Sequence, residues 1–79
     1  MKLPRNLDAD ALIKAHSRIG YVVVRQTGSH IRLHCSEPAH AITVPNHRPI
    51  RIGTLAAILQ DIEIAHQMER ATLIAILFD

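Results

Sequence analysis

The chain has a single cysteine, Cys35, among its 79 residues. No intrachain disulfide can form, which excludes the small secreted scaffolds that depend on such staples and fits a reducing cytoplasm. Aromatic rings are nearly absent, with Tyr21 and Phe78 the only ones apart from histidine. A platform that stacks successive unpaired bases is therefore excluded, and any nucleic acid must be held mainly through backbone charge and shape. Long apolar runs are missing as well. The longest, Leu73 to Phe78, falls far short of the roughly 20 residues that a membrane span requires. Asp8 and Asp10 stand where a signal peptide would be apolar. A soluble, cytoplasmic protein without membrane contact is expected.

What is present suffices for one core. Hydrophobic residues make up 48% and charged residues 20%, with a mean hydropathy of +0.12. That offsets the chain entropy of one small domain and leaves nothing for a second. One domain over 1–79 is expected, with 1–62 as its core and 63–79 as a C-terminal helical extension. Formal net charge is only +2, but it is unevenly spread. Residues 11–60 carry Lys14, Arg18, Arg25, Arg32, Arg48 and Arg51 against Glu37 alone, whereas residues 61–79 carry Arg70 against Asp61, Glu63, Glu69 and Asp79. A basic body with an acidic tail suits a polyanionic partner for the body, and an ordinary mixed surface is the alternative.

Asp8 stands as an N-cap before a helix from Ala9 to Ile19, and Gly20 closes it, with Leu12, Ile13, His16 and Ile19 at helical spacing. Val22, Val23 and Val24 then mark a strand that turns at Thr27 and Gly28. From Ser29 to Cys35 the alternation is strict, Ile31, Leu33 and Cys35 facing a core and His30, Arg32 and His34 facing water. Glu37, Pro38 and Ala39 turn the chain into a third strand, His40 to Val44, which stops at Pro45. A two-residue Thr27-Gly28 turn sets Val24 opposite Ile31, Val22 opposite Leu33 and Arg25 opposite His30. In the second hairpin a four-residue turn sets Leu33 opposite Ile42 and Ile31 opposite Val44.

After a loop from Asn46 to Arg51, Gly53 and Thr54 open a helix whose Leu55, Ile58, Leu59 and Ile62 share one face. A last helix runs from His66 or Gln67 to Leu77 and buries Met68, Leu73, Ala75, Ile76 and either Ala71 or Thr72. The predicted class is α+β: a helix, a three-stranded antiparallel sheet with helices on one face and the other face open, and two further helices.

Four of the six histidines, His30, His34, His40 and His47, fall in one third of the chain, which raises the question of zinc. On one strand, however, His30 and His34 lie about 13 Å apart at about 3.3 Å per residue. Cys35 and His40 can face each other but do not close a site. Neither a metal nor a cofactor is expected. His30 follows the first turn on the face that also displays Arg25 and Arg32. An imidazole placed between two guanidinium groups can serve as general base toward a bound phosphodiester, and a merely solvated strand histidine is the other reading. Gly28 meets a turn's need for positive φ. Ser29 can bond a phosphate or hold the turn, and no acidic neighbour completes a serine hydrolase. At the second helix the N–H groups of Gly53, Thr54 and Leu55, behind Arg51, offer an anion site, with Thr54 as an ordinary cap the alternative.

Three segments together resemble the HicA-type toxins, also called YcfA-like proteins: Arg25-Gln26-Thr27-Gly28-Ser29-His30, Ile42-Thr43-Val44-Pro45-Asn46-His47 and Ile52-Gly53-Thr54-Leu55-Ala56-Ala57-Ile58-Leu59. The Leu12-Ile13-Lys14 helix and the Gly20-Tyr21 junction fit too, so that the resemblance covers residues 3–62 and leaves the last helix outside. It implies a double-stranded RNA-binding-domain-like fold and an RNA endonuclease, the toxin of a bacterial toxin-antitoxin pair, which cleaves mRNA until a HicB-type antitoxin covers it. The histidine after the Gly-Ser pair, here His30, is the implied catalytic residue, acting without metal on a ribose 2′-hydroxyl while Arg25, Arg32 or Arg51 stabilises the transition state. Ala56 and Ala57 depart from the family's usual Lys or Arg, which shifts the expected RNA contact to His47, Arg48 and Arg51. Two other readings stand beside this one: a non-catalytic RNA-binding module of the same fold, and an interaction protein that docks or self-associates through its last helix.

Overall fold

The computed structural model describes residues 6–78. Residues 1–5 and Asp79, which the single-domain span and the acidic tail include, lie outside the described residues. The order is α1 (Ala9–His16), a 3-10 turn (Ser17–Ile19), β1 (Val22–Thr27), β2 (His30–Ser36), β3 (Ala39–Pro45), α2 (Ile52–His66) and α3 (Arg70–Phe78). The strands form one antiparallel sheet in the order β1-β2-β3. This is the α+β arrangement read from the sequence. No helix among the described residues is long and apolar enough to cross a membrane.

Asp8 caps α1 as expected, its Oδ1 accepting the Ala11 N–H at 2.9 Å. The helix tightens into the 3-10 turn after His16 and ends at Gly20, whose φ of +95° a side chain would strain. A Cβ at Gly20 would also come within 3.3 Å of Cys35 Sγ. Position 20 therefore needs glycine twice over.

The second hairpin has the expected register, Leu33 opposite Ile42 and Ile31 opposite Val44. Its turn is shorter than expected, because Ser36 already pairs with Ala39 across Glu37 and Pro38. The first hairpin differs. Its two turn residues are Gly28 and Ser29, so that Thr27 pairs with His30, Gln26 with Ile31 and Arg25 with Arg32. Gly28 takes φ +56° at the first central position, as a type II′ hairpin turn requires. A bulge at Val24 then shifts the ladder, and Val23 pairs with Leu33 and Val22 with His34. The expected inward placing of Val22 and Val24 is thereby corrected. β1 is an edge strand, and Val22, Val23 and Val24 are 59%, 47% and 49% exposed.

Leu55, Ile58, Leu59 and Ile62 of α2 are buried as read from their spacing. The helix starts from Arg51, in extended conformation, so Thr54 is not its cap. It continues to His66, where Gln67 adopts φ +51° and the Met68 N–H reaches back to the Glu63 carbonyl at 3.0 Å. This Schellman closure is why α3 begins at Arg70 and not at His66 or Gln67. Its rotation differs accordingly. Leu73, Ile74 and Leu77 are buried, while Ala71 and Thr72 are exposed and Ile76 is 37% exposed. These α3 residues join Leu12, Leu33 and Leu59 in one core between the helices and the inner sheet face. Arg18 ties α3 down by donating from Nη1 to the Ile76 and Leu77 carbonyls at 3.3 Å each, and Arg70 pairs with Glu63.

Candidate functional site

Strict alternation on β2 sends Ile31, Leu33 and Cys35 into the core, which leaves His30, Arg32 and His34 on the face without helices. Register then chooses their neighbours. One row across the sheet reads Arg25, Arg32, Thr43, and the next reads Thr27, His30, Pro45. The side chains of Arg25, Thr27, His30, Arg32 and Thr43 enclose a shallow open cleft of about 230 Å³. Arg32 donates from Nη1 to Thr43 Oγ1 at 2.8 Å. Among the described residues the ion pairs are Arg48 with Asp10 and Arg70 with Glu63, so neither cleft arginine is neutralised by a carboxylate. Two like charges directly opposite on a sheet repel, and such a pair beside an imidazole is suited to an anion that bridges them.

The residues singled out from the sequence divide between this cleft and the adjoining loop. Arg25, His30 and Arg32 come together, although Arg25 faces Arg32 and not His30. Ser29 lies exposed in the turn, and its carbonyl accepts the Asn46 N–H at 2.7 Å, tying the hairpin tip to the segment after β3. His47 and Arg48 are exposed on that segment, and Arg48 Nη2 lies 3.7 Å from Asp10 Oδ2. Arg51 borders a separate groove of about 450 Å³ with Asn6, Pro49, Ile50 and Ile52. The expected anion site at α2 loses one donor, because the Leu55 N–H is already bonded to the Arg51 carbonyl at 2.9 Å.

The sequence reading passed over two groups. Thr27 and Thr43 line the cleft, and their outward positions follow from the same alternation that placed Arg32. The other is a cluster on the opposite side of the sheet. The buried Tyr21 hydroxyl lies 2.6 Å from His40 Nδ1 and 3.1 Å from His66 Nε2. His16, wholly buried, meets the Tyr21 ring edge-on at 5.9 Å and donates from Nδ1 to the Leu12 carbonyl at 2.7 Å. Burial pushes the Tyr21 phenol up to about 12 and holds His16 below the usual imidazole range. His66 is also lowered, first by burial and then by the neighbouring His40. His30 and His34 on the outer face, His40 on the inner and His47 in the loop are thus dispersed. Among the described residues no three His, Cys, Asp or Glu side chains converge to hold a metal ion.

Residues 9–64 match the family model described as the HicA toxin of bacterial toxin-antitoxin systems. The chain belongs to the HicA toxin family. The matched span contains the whole cleft and the loop from Asn46 to Arg51, and it stops before α3. Comparison with curated proteins and with solved structures returned no match. As a HicA toxin the protein is one half of a toxin-antitoxin pair, and the helix, three-strand and helix order within the matched span is the fold of its family.

Proposed function

We propose that this HicA toxin is an RNA endonuclease that works without metal in the cytoplasm and uses His30 as its general base. The observation that carries the reading is the pairing of Arg25 and Arg32 beside His30, with no carboxylate on either guanidinium among the described residues. A phosphodiester seated between the arginines brings its ribose 2′-hydroxyl to the imidazole. His30 takes the 2′-hydroxyl proton, the oxygen attacks phosphorus in line, and the bond to the 5′-oxygen breaks. The 5′-oxygen takes a proton from solvent, leaving a 2′,3′-cyclic phosphate and a 5′-hydroxyl. Arg25 and Arg32 stabilise the charge that grows on the phosphoryl oxygens. Ser29, His47, Arg48 and Arg51, on the turn and the loop that follows β3, hold the RNA backbone on either side.

A HicB-type antitoxin that lays an acidic surface over this open cleft would silence the enzyme, and mRNA is the natural substrate in this reading. The deciding experiment compares purified wild type with His30→Ala on a single-stranded RNA in the presence of a chelator, mapping the ends produced. Cleavage by wild type to cyclic phosphate and 5′-hydroxyl ends, lost in the variant while its fold and antitoxin binding persist, is the expected result. Equal cleavage by His30→Ala removes the general-base assignment.

A further inference from the structure

Thr43 has no part in the reaction as written above, yet it makes the one side-chain hydrogen bond that fixes a cleft arginine among the described residues. Its neighbours Ile42 and Val44 are buried, so the β3 alternation forces Thr43 onto the outer face. Arg32 is its cross-strand partner on one side of β2, and Arg25 is the partner of Arg32 on the other. Arg32 therefore stands between an arginine that repels it and a threonine that accepts its proton at 2.8 Å. Arg32 is half-buried, and its long stem would otherwise still sample several rotamers. The Thr43 bond holds the guanidinium on the β3 side of the cleft that both arginines line.

We infer that Thr43 is a positioning residue, which holds Arg32 apart from Arg25 so that one phosphate group of an RNA strand fits between the two guanidinium groups beside His30. This deepens the nuclease reading and rests on it. Thr43 itself need not touch the substrate. Its oxygen uses a lone pair on an arginine N–H, and the remaining N–H groups of Arg32 stay free for phosphoryl oxygens. A phosphate already embraced by a pre-oriented guanidinium needs no rearrangement as charge develops. The bond should therefore act more on turnover than on capture.

Thr43→Val keeps the branched shape on the strand and removes the acceptor, and Thr43→Ser restores the acceptor. The expected result is a fall of about tenfold in kcat for Thr43→Val with KM changed by no more than about twofold, and recovery in Thr43→Ser. In an Arg32→Ala background, adding Thr43→Val should change nothing further, since the partner through which it acts is gone. A readout free of RNA is the nitrogen NMR signal of the Arg32 side chain, whose guanidinium rotation should speed up in Thr43→Val and slow again in Thr43→Ser. Unchanged rotation, or a Thr43→Val loss that persists in full in the Arg32→Ala background, overturns the positioning role. Cleavage that survives His30→Ala, with the Arg32 rotation still answering to Thr43, refutes the general-base reading while leaving the positioning role intact. A wild-type protein that cleaves no RNA overturns both.

Discussion

Arg25 and Arg32 stand directly opposite each other on β1 and β2, both on the sheet face that carries no helix. Each increases the electrostatic cost of placing the other there, and an anionic ligand between them turns that cost into affinity. Removing one should therefore move stability and RNA binding in different directions. Arg25→Ala is expected to leave unfolding in denaturant unchanged or slightly more difficult, within about 0.5 kcal/mol. Its RNA affinity should fall, with a log-log salt slope shallower by about 0.7 for each phosphate that the protein no longer neutralises. A variant that loses stability and keeps the wild-type slope would show that Arg25 serves the fold alone.

Arg48 and Arg51 lie outside the cleft, on the loop that the Ser29 carbonyl ties to the hairpin tip through Asn46. Arg48 is only loosely engaged, 3.7 Å from the exposed Asp10 carboxylate, and such surface pairs contribute little. The double variant Arg48→Ala, Arg51→Ala should bind RNA more weakly with a shallower salt dependence, and its turnover at saturating RNA should stay within about twofold of wild type. Titration of binding against salt, run beside single-turnover cleavage, checks both parts.

Gly20 and Gly53 provide a contrast in which the same change has opposite signs. At Gly20 a side chain meets a φ of +95° and lies 3.3 Å from the buried Cys35 sulfur. At Gly53 the added Cβ has nothing within 4 Å and the backbone is helical. Gly20→Ala is expected to destabilise by about 1–2 kcal/mol. Gly53→Ala should stabilise by up to about 1 kcal/mol, through lower chain entropy when unfolded. Denaturant midpoints of the two single variants decide the matter.

How far the sequence could be read depends on where its pattern was binary. The alternation from Ile31 to Cys35, continued by Ile42 and Val44, fixed the second hairpin's register and the outward direction of His30 and Arg32. Val22, Val23 and Val24 carry no such alternation. Three consecutive β-branched residues fit either face, and only the bulge at Val24 decides between them. The first turn could have been placed better, since Gly-Ser suits a type II′ turn in which glycine comes first, and that choice sets Arg25 against Arg32. The end of α2 gave no signal. Gln67 takes the left-handed conformation normally left to Gly or Asn, because the Met68 and Gln67 N–H groups close the helix from beyond it. The Tyr21 cluster was invisible for another reason. Its members come from α1, the β1 junction, β3 and the end of α2, and no spacing along the chain relates them.

That cluster is expected to limit stability at both ends of the pH range. His16 and His66 protonate less readily in the folded protein than in the unfolded chain, where an imidazole titrates near 6.5. Below that pH the unfolded state binds more protons, so stability should fall as pH drops from 6.5 through the lowered folded values and stay level just above it. Tyr21 works in the other direction. The unfolded phenol ionises near 10 while the folded one keeps its proton until about 12. Its contribution to stability is full below 10 and should decline, by at most about 2–3 kcal/mol, as the pH rises from 10 to 12. Because Tyr21 is the only tyrosine and tryptophan is absent, near-ultraviolet absorbance reports its ionisation directly. Tyr21→Phe should lose about 1–2 kcal/mol at neutral pH, with the bonds to His40 and His66 gone, while the alkaline decline flattens. An alkaline limb unchanged in Tyr21→Phe would assign that loss to other groups and leave the buried phenol without a role in it.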